Sequence, residues 1–315
     1  MTARDIAVRA LRSAPVTSAS RRATRRRLRV LAYHGVPDPA NFGLHMTHIA
    51  ERYVPVDEAA VAASLAGRAK LPDHAVWITF DDGDPTVVTH GLPILAELKI
   101  PATMFICPGL VESGEPFWWR LSDAVGSDVP DDVEAELAAM TAGVDRGEYA
   151  AVSFTERLKG VDDEDRRRLL GRTSIVAGSR PSSWRQLSSA ELEAWQSAGM
   201  SVGNHSWDHP CLDKCDESEQ LRQVEESHRW LVDAGIRPRA FAYPNGNHSE
   251  TVERALVDLG YELAVLHDNR LADTTLSPLR ISRLRVEADE QVERLVSVAS
   301  GAQPTADSLR GRLSV

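Results

Sequence analysis

The segment AVWITFDDGD at residues 75–84 joins a strand pattern to an acidic turn. Its first six residues form a β-branched and aromatic run, which predicts a strand at residues 75–80. Two adjacent carboxylates, Asp81 and Asp82, follow at the carboxyl end of that strand, where α/β folds assemble their sites. Adjacent side chains point in different directions, so one carboxylate can bind a metal while its neighbour accepts a proton from water. Gly83 permits the sharp turn between them and the next element.

Similar runs alternate with helical patterns along the chain, which is typical of parallel strands joined by crossover helices. Helix starts are indicated at Asp57, at Ser188 with Glu191 three residues later, and at Ser249. Glycines at positions 67, 199, 235 and 260 indicate helix ends. We therefore predict an α/β fold, a barrel or a sheet, with seven parallel strands at residues 29–33, 75–80, 102–107, 200–203, 240–243, 262–266 and 283–286.

The alternation stops between residues 108 and 187. Polar helical patterns cover residues 131–140, 154–158 and 164–170, and no strand pattern separates them. We interpret this segment as a helical insertion at one end of the barrel or sheet. A separate small domain is the alternative, but the segment is short of large apolar residues. The predicted organisation is a basic arm (1–28), a domain (29–300) containing the insertion (108–187), and a C-terminal tail (301–315).

Charge is distributed unevenly over the 315 residues, whose formal net charge is −10. The first thirty residues carry nine arginines against one acid, so they are +8 and the remainder is −18. Because phosphates require a basic face, we expect no nucleic-acid partner for this acidic body. Residues 3–11 could form an amphipathic helix that gives the arm a weak contact with a membrane surface. A solvated or locally docked tail is the preferred interpretation.

Three cysteines, Cys107, Cys211 and Cys215, are an odd number without the spacing of a disulfide framework, and we expect reduced thiols. Cys211 and Cys215 also have C-x3-C spacing and could share a metal. Without a second cysteine pair, small buried thiols are the preferred interpretation. No signal-peptide pattern or membrane-spanning run is found, so the expected location is cytoplasmic.

A second polar segment, HSWDHP at residues 205–210, follows the predicted strand at residues 200–203. His205 and His209 are four residues apart, so their imidazoles share one face of a helix and can also converge in a tight turn. A surface histidine pair is the other interpretation. Because the histidines and the paired aspartates both follow parallel strands, we expect them at the same end of the sheet, where they could bind one metal ion.

Residues 79–83 (TFDDG) and 205–210 (HSWDHP) resemble the first two motifs of polysaccharide deacetylases, the NodB-homology group also called carbohydrate esterase family four. Residues 241–246 (FAYPNG) resemble the third motif in a form that lacks its arginine. The resemblance extends from about residue 30 to residue 286, with the motifs in the family's order. It implies a distorted (β/α)7 barrel, a carbohydrate substrate and a bound divalent metal, with zinc as the first candidate.

By motif position, the resemblance implies that Asp82, His205 and His209 bind the metal and that Asp81 is the catalytic base. The metal would polarise the acyl oxygen and acidify a water molecule, whose proton Asp81 would accept. The backbone N–H of Asn245, where the family usually has tyrosine, would donate to the resulting oxyanion. The motifs also place three residues at the substrate, namely Trp207, Tyr243 and Pro244.

The chain departs from the family at two catalytic positions. Ala242 replaces the arginine that commonly orients the base, and Arg283 on the last predicted strand is our candidate substitute; an ordinary surface arginine is the alternative. The last strand also lacks the family's usual general-acid histidine. We prefer His34 over His267 for that role because the strand ends of a barrel converge on one site, although a structural histidine is the alternative.

These features predict a metal-dependent hydrolase that deacetylates an N-acetylhexosamine polysaccharide, oligosaccharide or sugar precursor. One alternative is an amidohydrolase that uses the same site on an amide outside a sugar. Another is a protein that keeps the metal and binds glycan without catalysis, because the usual arginine and final-strand histidine are missing. Asp81 favours catalysis, since a binding protein has no physical need for a base beside its metal.

Overall fold

The structure is a computed structural model that describes residues 13–141, 152–173, 184–273, 275 and 277–303. The predicted amphipathic helix at residues 3–11 and most of the predicted tail at residues 301–315 lie outside these ranges. Within them, parallel strands alternate with helices, and the predicted α/β class is confirmed.

Eight parallel strands form one curled sheet. Seven of them agree with the predicted strands to within one residue at each end. The strands are β1 (Arg29–Tyr33), β2 (Val54–Pro55), β3 (Ala75–Phe80), β4 (Ala102–Ile106), β5 (Ser201–Asn204), β6 (Ala240–Ala242), β7 (Leu263–Val265) and β8 (Leu284–Arg285). The additional strand, which was not predicted, is β2, whose two residues are too few to produce a sequence pattern.

The strand order is β7-β6-β5-β4-β3-β1-β8, with β2 paired beside β3. The segment around β8 closes the sheet on itself. Ile281 forms a parallel bridge with Val265 of β7, and a few residues later β8 pairs with β1. The expected distorted (β/α)7 barrel is therefore confirmed. Because all strands are parallel, their carboxyl ends lie at one rim.

Alternation along β3 determines which side chains fill the barrel. Trp77 belongs to the same apolar cluster as Phe105 of β4, whereas Ile78 and Phe80 belong to the cluster on the other face of the sheet. The N–H of Asp81 donates to the carbonyl of Tyr33 (2.9 Å), so the ladder continues one residue past the strand. Asp81 keeps the inward parity of Trp77 and lies at the rim of the barrel.

Helices surround the sheet and begin where predicted. The side chain of Asp57 accepts the N–H of Ala60, Ser188 and Glu191 form a capping box, and Ser249 caps a third helix. The four predicted glycine stops all have positive φ. Among the helices of the described residues, none combines the length and apolar composition that a bilayer crossing needs.

The helices are α1 (Ala14–Ala23), α2 (Pro39–Arg52), α3 (Glu58–Leu65), α4 (Leu92–Leu98), α5 (Pro108–Ser113), α6 (Trp118–Val125), α7 (Asp131–Met140), α8 (Phe154–Leu158), α9 (Asp163–Arg172), α10 (Ser189–Ser197), α11 (Glu217–Asp233), α12 (Glu250–Asp258) and α13 (Val292–Ser300).

Helices α5 to α9 form the insertion, and its described residues contain no strand. Two predicted helices are reproduced in α7 and α8, and the third is longer than predicted at Asp163–Arg172. Residues from α6 to α9 share an apolar cluster that also includes Cys211, which follows β5. The insertion therefore packs on the rim of the barrel, at its carboxyl end.

The described part of the predicted basic arm, residues 13–28, contacts the rest of the chain. Helix α1 packs against α13, and Ser20 and Thr24 both donate to the carbonyl of Ser300. Arg29 is fully buried, and its guanidinium donates to the carbonyl of Ala299 (2.9 Å). Arg27 donates to main-chain carbonyls of residues 271 and 272. Residues 13–28 are therefore docked on the domain.

We predict that Glu58 makes folding stability depend on pH. This side chain is buried, its Oε2 accepts a hydrogen bond from Thr103, and burial raises its pKa from 4.5 to about 7. The unfolded chain releases the proton near pH 4.5 whereas the folded protein retains it to about pH 7, so the contribution of Glu58 to stability falls as pH rises between these values. Glu58→Gln lacks this contribution, so its stability relative to that of the wild type should rise by up to about 3 kcal/mol over the same pH range.

Urea unfolding at pH 4.5 and pH 7.5 measures this difference. The exposed Glu51→Gln variant is the matched control and should retain the wild-type pH dependence. The same pH dependence in Glu58→Gln and in the wild type would contradict the assignment.

Candidate active site

Three side chains meet at the carboxyl rim of the barrel, Asp82 after β3 and His205 and His209 after β5. Oδ1 of Asp82 lies 3.5 Å from Nε2 of His205 and 3.6 Å from Nε2 of His209. One potential ligand atom from each residue lies within 4.8 Å of the other two. The sequence places these residues at one rim, and the structure brings them to one point.

The histidines meet through a turn and not through a helix. Ser206 (φ 68°) and His209 (φ 62°) both adopt the left-handed conformation. Side-chain hydrogen bonds hold this turn: Oδ1 of Asn204 accepts the N–H of Ser206 (2.9 Å), and Oγ of Ser206 accepts the N–H of His209 (3.1 Å). These bonds offset the cost of left-handed backbone at residues other than glycine.

The donor atoms of these three residues fit a divalent cation. Nδ1 of His205 contacts the carbonyl of Ala242 (2.7 Å), which can only accept, so Nδ1 carries the proton and Nε2 is available as a ligand. Burial lowers the pKa of His209 to about 3, so its imidazole is neutral. Oδ1 of Asp82 is buried without a hydrogen-bond partner. Two imidazoles and one carboxylate form a ligand set that suits zinc.

Asp81 is held by a buried, bidentate ion pair with Arg283. Nη1 of Arg283 lies 2.7 Å from Oδ1 and Nη2 lies 2.6 Å from Oδ2. Burial alone would raise the pKa of Asp81, but the charge and the hydrogen bonds of Arg283 outweigh it and hold that pKa far below its usual range. Arg283 is 0% exposed, so the surface-arginine alternative is wrong. Arg283 therefore pairs with the carboxylate that an arginine at the position of Ala242 would commonly orient.

His34 and His267 also face Asp81. The three residues offer ligand-type atoms within 4.8 Å of one another, and the two rings meet edge to face at 5.5 Å. Burial and the charge of Arg283 lower the pKa of His267 to about 3, so this ring is neutral at pH 7. The His34 side chain is 38% exposed, and its Nδ1 lies 3.9 Å from the carboxylate of Glu287.

The two aspartates and four histidines of the site line a cavity of about 290 Å³. Asn245 also lines it and has left-handed backbone (φ 56°). The three expected substrate-binding residues are not among the residues that line it. The ring of Trp207 packs over Gly109, where an added Cβ would lie only 2.5 Å away. Tyr243 and Pro244 are buried, and Tyr243 packs in an apolar cluster with residues of α11 and α12.

The insertion supplies one wall of the cavity, which the sequence interpretation missed. The ring of Trp119 lies edge to face against His209, with centroids 4.4 Å apart. Its aromatic neighbours at residues 117 and 118 were the available signal in an otherwise polar segment. The remaining wall residues belong to no motif and are Asp123, Ser153, Thr155, Glu156 and Lys159.

All three cysteines are buried free thiols, as expected. Within the described ranges, the groups of side chains arranged to hold a metal contain aspartate and histidine and no cysteine. The preferred interpretation of Cys211 and Cys215 as small buried thiols is therefore confirmed.

A sequence model of the family described as polysaccharide deacetylase matches residues 68–264. Among curated proteins, the chain is 50% identical over 44 residues to a Staphylococcus aureus poly-beta-1,6-N-acetyl-D-glucosamine N-deacetylase. That match spans 14% of this chain and 15% of the relative. The chain therefore matches far less than two thirds of that relative's length.

Two solved structures share the fold at low sequence identity. The Streptococcus pyogenes deacetylase PplD in complex with acetate superposes with a TM-score of 0.60 at 18% identity, over 87% of this chain and 98% of that chain. IcaB from Ammonifex degensii superposes with a TM-score of 0.57 at 19% identity, over 87% of this chain and 97% of that chain. Both matches support the barrel architecture.

We predict that Arg283→Met lowers the free energy of unfolding by about 3–5 kcal/mol, because it leaves Asp81 as an unpaired buried charge. Urea unfolding measures the loss. Arg285→Met is the matched control, since Arg285 is exposed and should change stability by less than about 1 kcal/mol. Adding Asp81→Asn to Arg283→Met should restore part of the loss. Small, equal losses in Arg283→Met and Arg285→Met would refute the ion pair's importance.

Proposed function

The chain belongs to the polysaccharide deacetylase family, and we propose that it is a metal-dependent hydrolase that removes the acetyl group from N-acetylhexosamine units of a carbohydrate. One observation carries this proposal: Oδ1 of Asp82 is buried and unpaired between the Nε2 atoms of His205 and His209. Asp81 lies beside this group with its charge intact. Cation ligands next to an ionised carboxylate form the arrangement that hydrolysis of an amide by water requires.

Asp82, His205 and His209 would hold the metal, and zinc suits their donor set. When bound, a divalent cation supplies polarisation of the acyl oxygen and acidification of a water molecule. Side chains around the cavity would position the reacting groups and transfer protons.

Asp81 is the proposed general base. Arg283 binds both of its oxygens and keeps the carboxylate ionised, while each oxygen retains a lone pair that can accept a proton from water. The backbone N–H of Asn245 is the proposed donor to the oxyanion, because Asn245 is the third-motif residue that lines the cavity. Arg283 acts through Asp81 and is a positioning residue.

His34 is the proposed general acid. It must protonate the departing amine, so a ring that remains neutral in the folded protein is unsuited to the role. With a pKa of about 3, His267 is neutral at pH 7 and cannot donate this proton. His34 also lies near Asp81, its side chain is partly exposed to solvent, and it has Glu287 as a carboxylate neighbour.

We propose a polymer or oligomer of β-1,6-linked N-acetylglucosamine as substrate. The support is the 50% identity over 44 residues to the staphylococcal deacetylase of that polymer. The cavity is compatible with a sugar, since it combines the aromatic ring of Trp119 with polar side chains from α8.

We predict that Asp81→Asn keeps about one zinc per chain and loses turnover at least about 100-fold, the size expected of a general base. His205→Ala should lose zinc and turnover together, because it removes a ligand. Metal content by mass spectrometry and acetate release from β-1,6-linked N-acetylglucosamine oligomers measure the two quantities. His48→Ala, on α2, is the matched control and should retain both.

Two outcomes would contradict the proposal. Wild-type turnover in Asp81→Asn would remove the general-base assignment. A zinc-loaded wild-type protein that binds these oligomers without releasing acetate would favour the non-catalytic glycan-binding alternative.

A further inference from the structure

The turn that carries the second histidine is held by the insertion at three successive residues, 207–209. Each residue in this range receives a hydrogen bond from a different helix of the insertion. The bonds run from the N–H of Gly109 to the carbonyl of Trp207 (2.9 Å), from the guanidinium of Arg167 to the carboxylate of Asp208 (2.9 Å), and from Nε1 of Trp118 to the carbonyl of His209 (3.0 Å).

The barrel, in contrast, holds the first histidine. The N–H of His205 donates to the carbonyl of Ile106 at the end of β4 (2.9 Å), and its Nδ1 contacts the carbonyl of Ala242 at the end of β6 (2.7 Å). Nδ1 of His209 has no hydrogen-bond partner among the described residues. The orientation of His209 therefore depends on its backbone, which is left-handed and bonded within the turn, and on the packing of its ring against Trp119.

Arg167 and Trp118 are parts of one braced cluster. Arg167 binds both oxygens of Asp208, and its Nε lies 2.6 Å from Oδ2 of Asp163. Asp163 is buried and also pairs with Arg166, whose guanidinium carbon lies 4.5 Å from the centre of a Trp118 ring. The two groups that hold the turn are thus fixed to each other through a buried carboxylate.

Helix α11 adds one support from the barrel side. Oε1 of Gln223 accepts the N–H groups of Trp207 and Asp208, and its Nε2 donates to Oδ1 of Asp208 (2.7 Å). Asp208 is therefore hydrogen-bonded to Gln223 on the barrel side and to Arg167 on the insertion side. Removing Arg167 leaves the barrel contact in place and frees only the side that faces the insertion.

We propose that the insertion is a positioning element of the metal centre, in which Arg167 and Trp118 hold the turn so that the imidazole of His209 faces Asp82. The barrel fixes two ligands and the insertion fixes the third. This inference rests on the proposed function, since it takes the three residues to be metal ligands. Side chains outside the ligand set commonly change metal affinity 10- to 100-fold when they orient a ligand.

Zinc affinity of the purified full chain, measured by competition with a chromophoric chelator, tests the proposal. Arg167→Met should weaken zinc binding about tenfold or more. Trp118→Phe keeps an aromatic ring and removes only the N–H donor, so it should weaken binding in the same direction without unbalancing charge. Arg168→Met is the matched control, because Arg168 lies on α9 and pairs with Glu136 and Asp165 of the insertion. It should bind zinc as the wild type does.

The visible spectrum of the cobalt-substituted protein separates positioning from general destabilisation, because it reports the ligands around the ion. The spectrum should change in Arg167→Met and Trp118→Phe and stay unchanged in Arg168→Met. Wild-type affinity and spectrum in both Arg167→Met and Trp118→Phe would overturn the inference. An equal loss of affinity in Arg168→Met would overturn it as well. A wild-type chain that binds no zinc would instead refute the proposed function.

Discussion

Two adjacent carboxylates, one buried and one partly buried, constrain this site more than any other feature. Asp81 and Asp82 leave β3 together, and each needs a compensating positive group because an unpaired charge in a protein interior is costly. Asp81 is neutralised by Arg283, which lies in the segment that closes the barrel. Asp82 faces two imidazoles and retains an unsatisfied oxygen, which a cation would satisfy. The same pair of charges thus accounts for a fixed base and for a metal site.

The positions of these groups follow from the barrel and from what is attached to it. Parallel strands bring Asp81, Asp82 and His205 to one rim, and the closing segment beside β8 delivers Arg283 opposite them. The insertion covers the remaining side and supplies a wall of the cavity. The barrel therefore carries the charged groups of the site, whereas the insertion forms one wall of the cavity and bonds the turn that bears His209.

Much of this arrangement is readable in the sequence because it depends on local patterns. Strand positions follow from apolar runs, helix starts follow from caps such as Ser188 with Glu191, and convergence of the motifs follows from parallel strands. Arg283 was identifiable because a missing cation had to be replaced.

What the sequence did not predict depends on tertiary packing. The direction of the Trp207 side chain is set by its contact with Gly109, and Tyr243 is buried because it packs in an apolar cluster with residues of α11 and α12. Trp119 reaches His209 only because the insertion folds back over the rim. Residues 13–28 read as an arm from composition, yet buried Arg29 and the carbonyls near the end of α13 draw them into the domain.

The central claim is that Asp82, His205 and His209 share one divalent cation. Anomalous X-ray diffraction at the zinc absorption edge, on crystals of the wild-type chain grown with zinc, tests it most directly. We expect a single strong peak about 2.0–2.2 Å from Oδ1 of Asp82 and from both Nε2 atoms. No peak there, or a peak only among His34, Asp81 and His267, would contradict it.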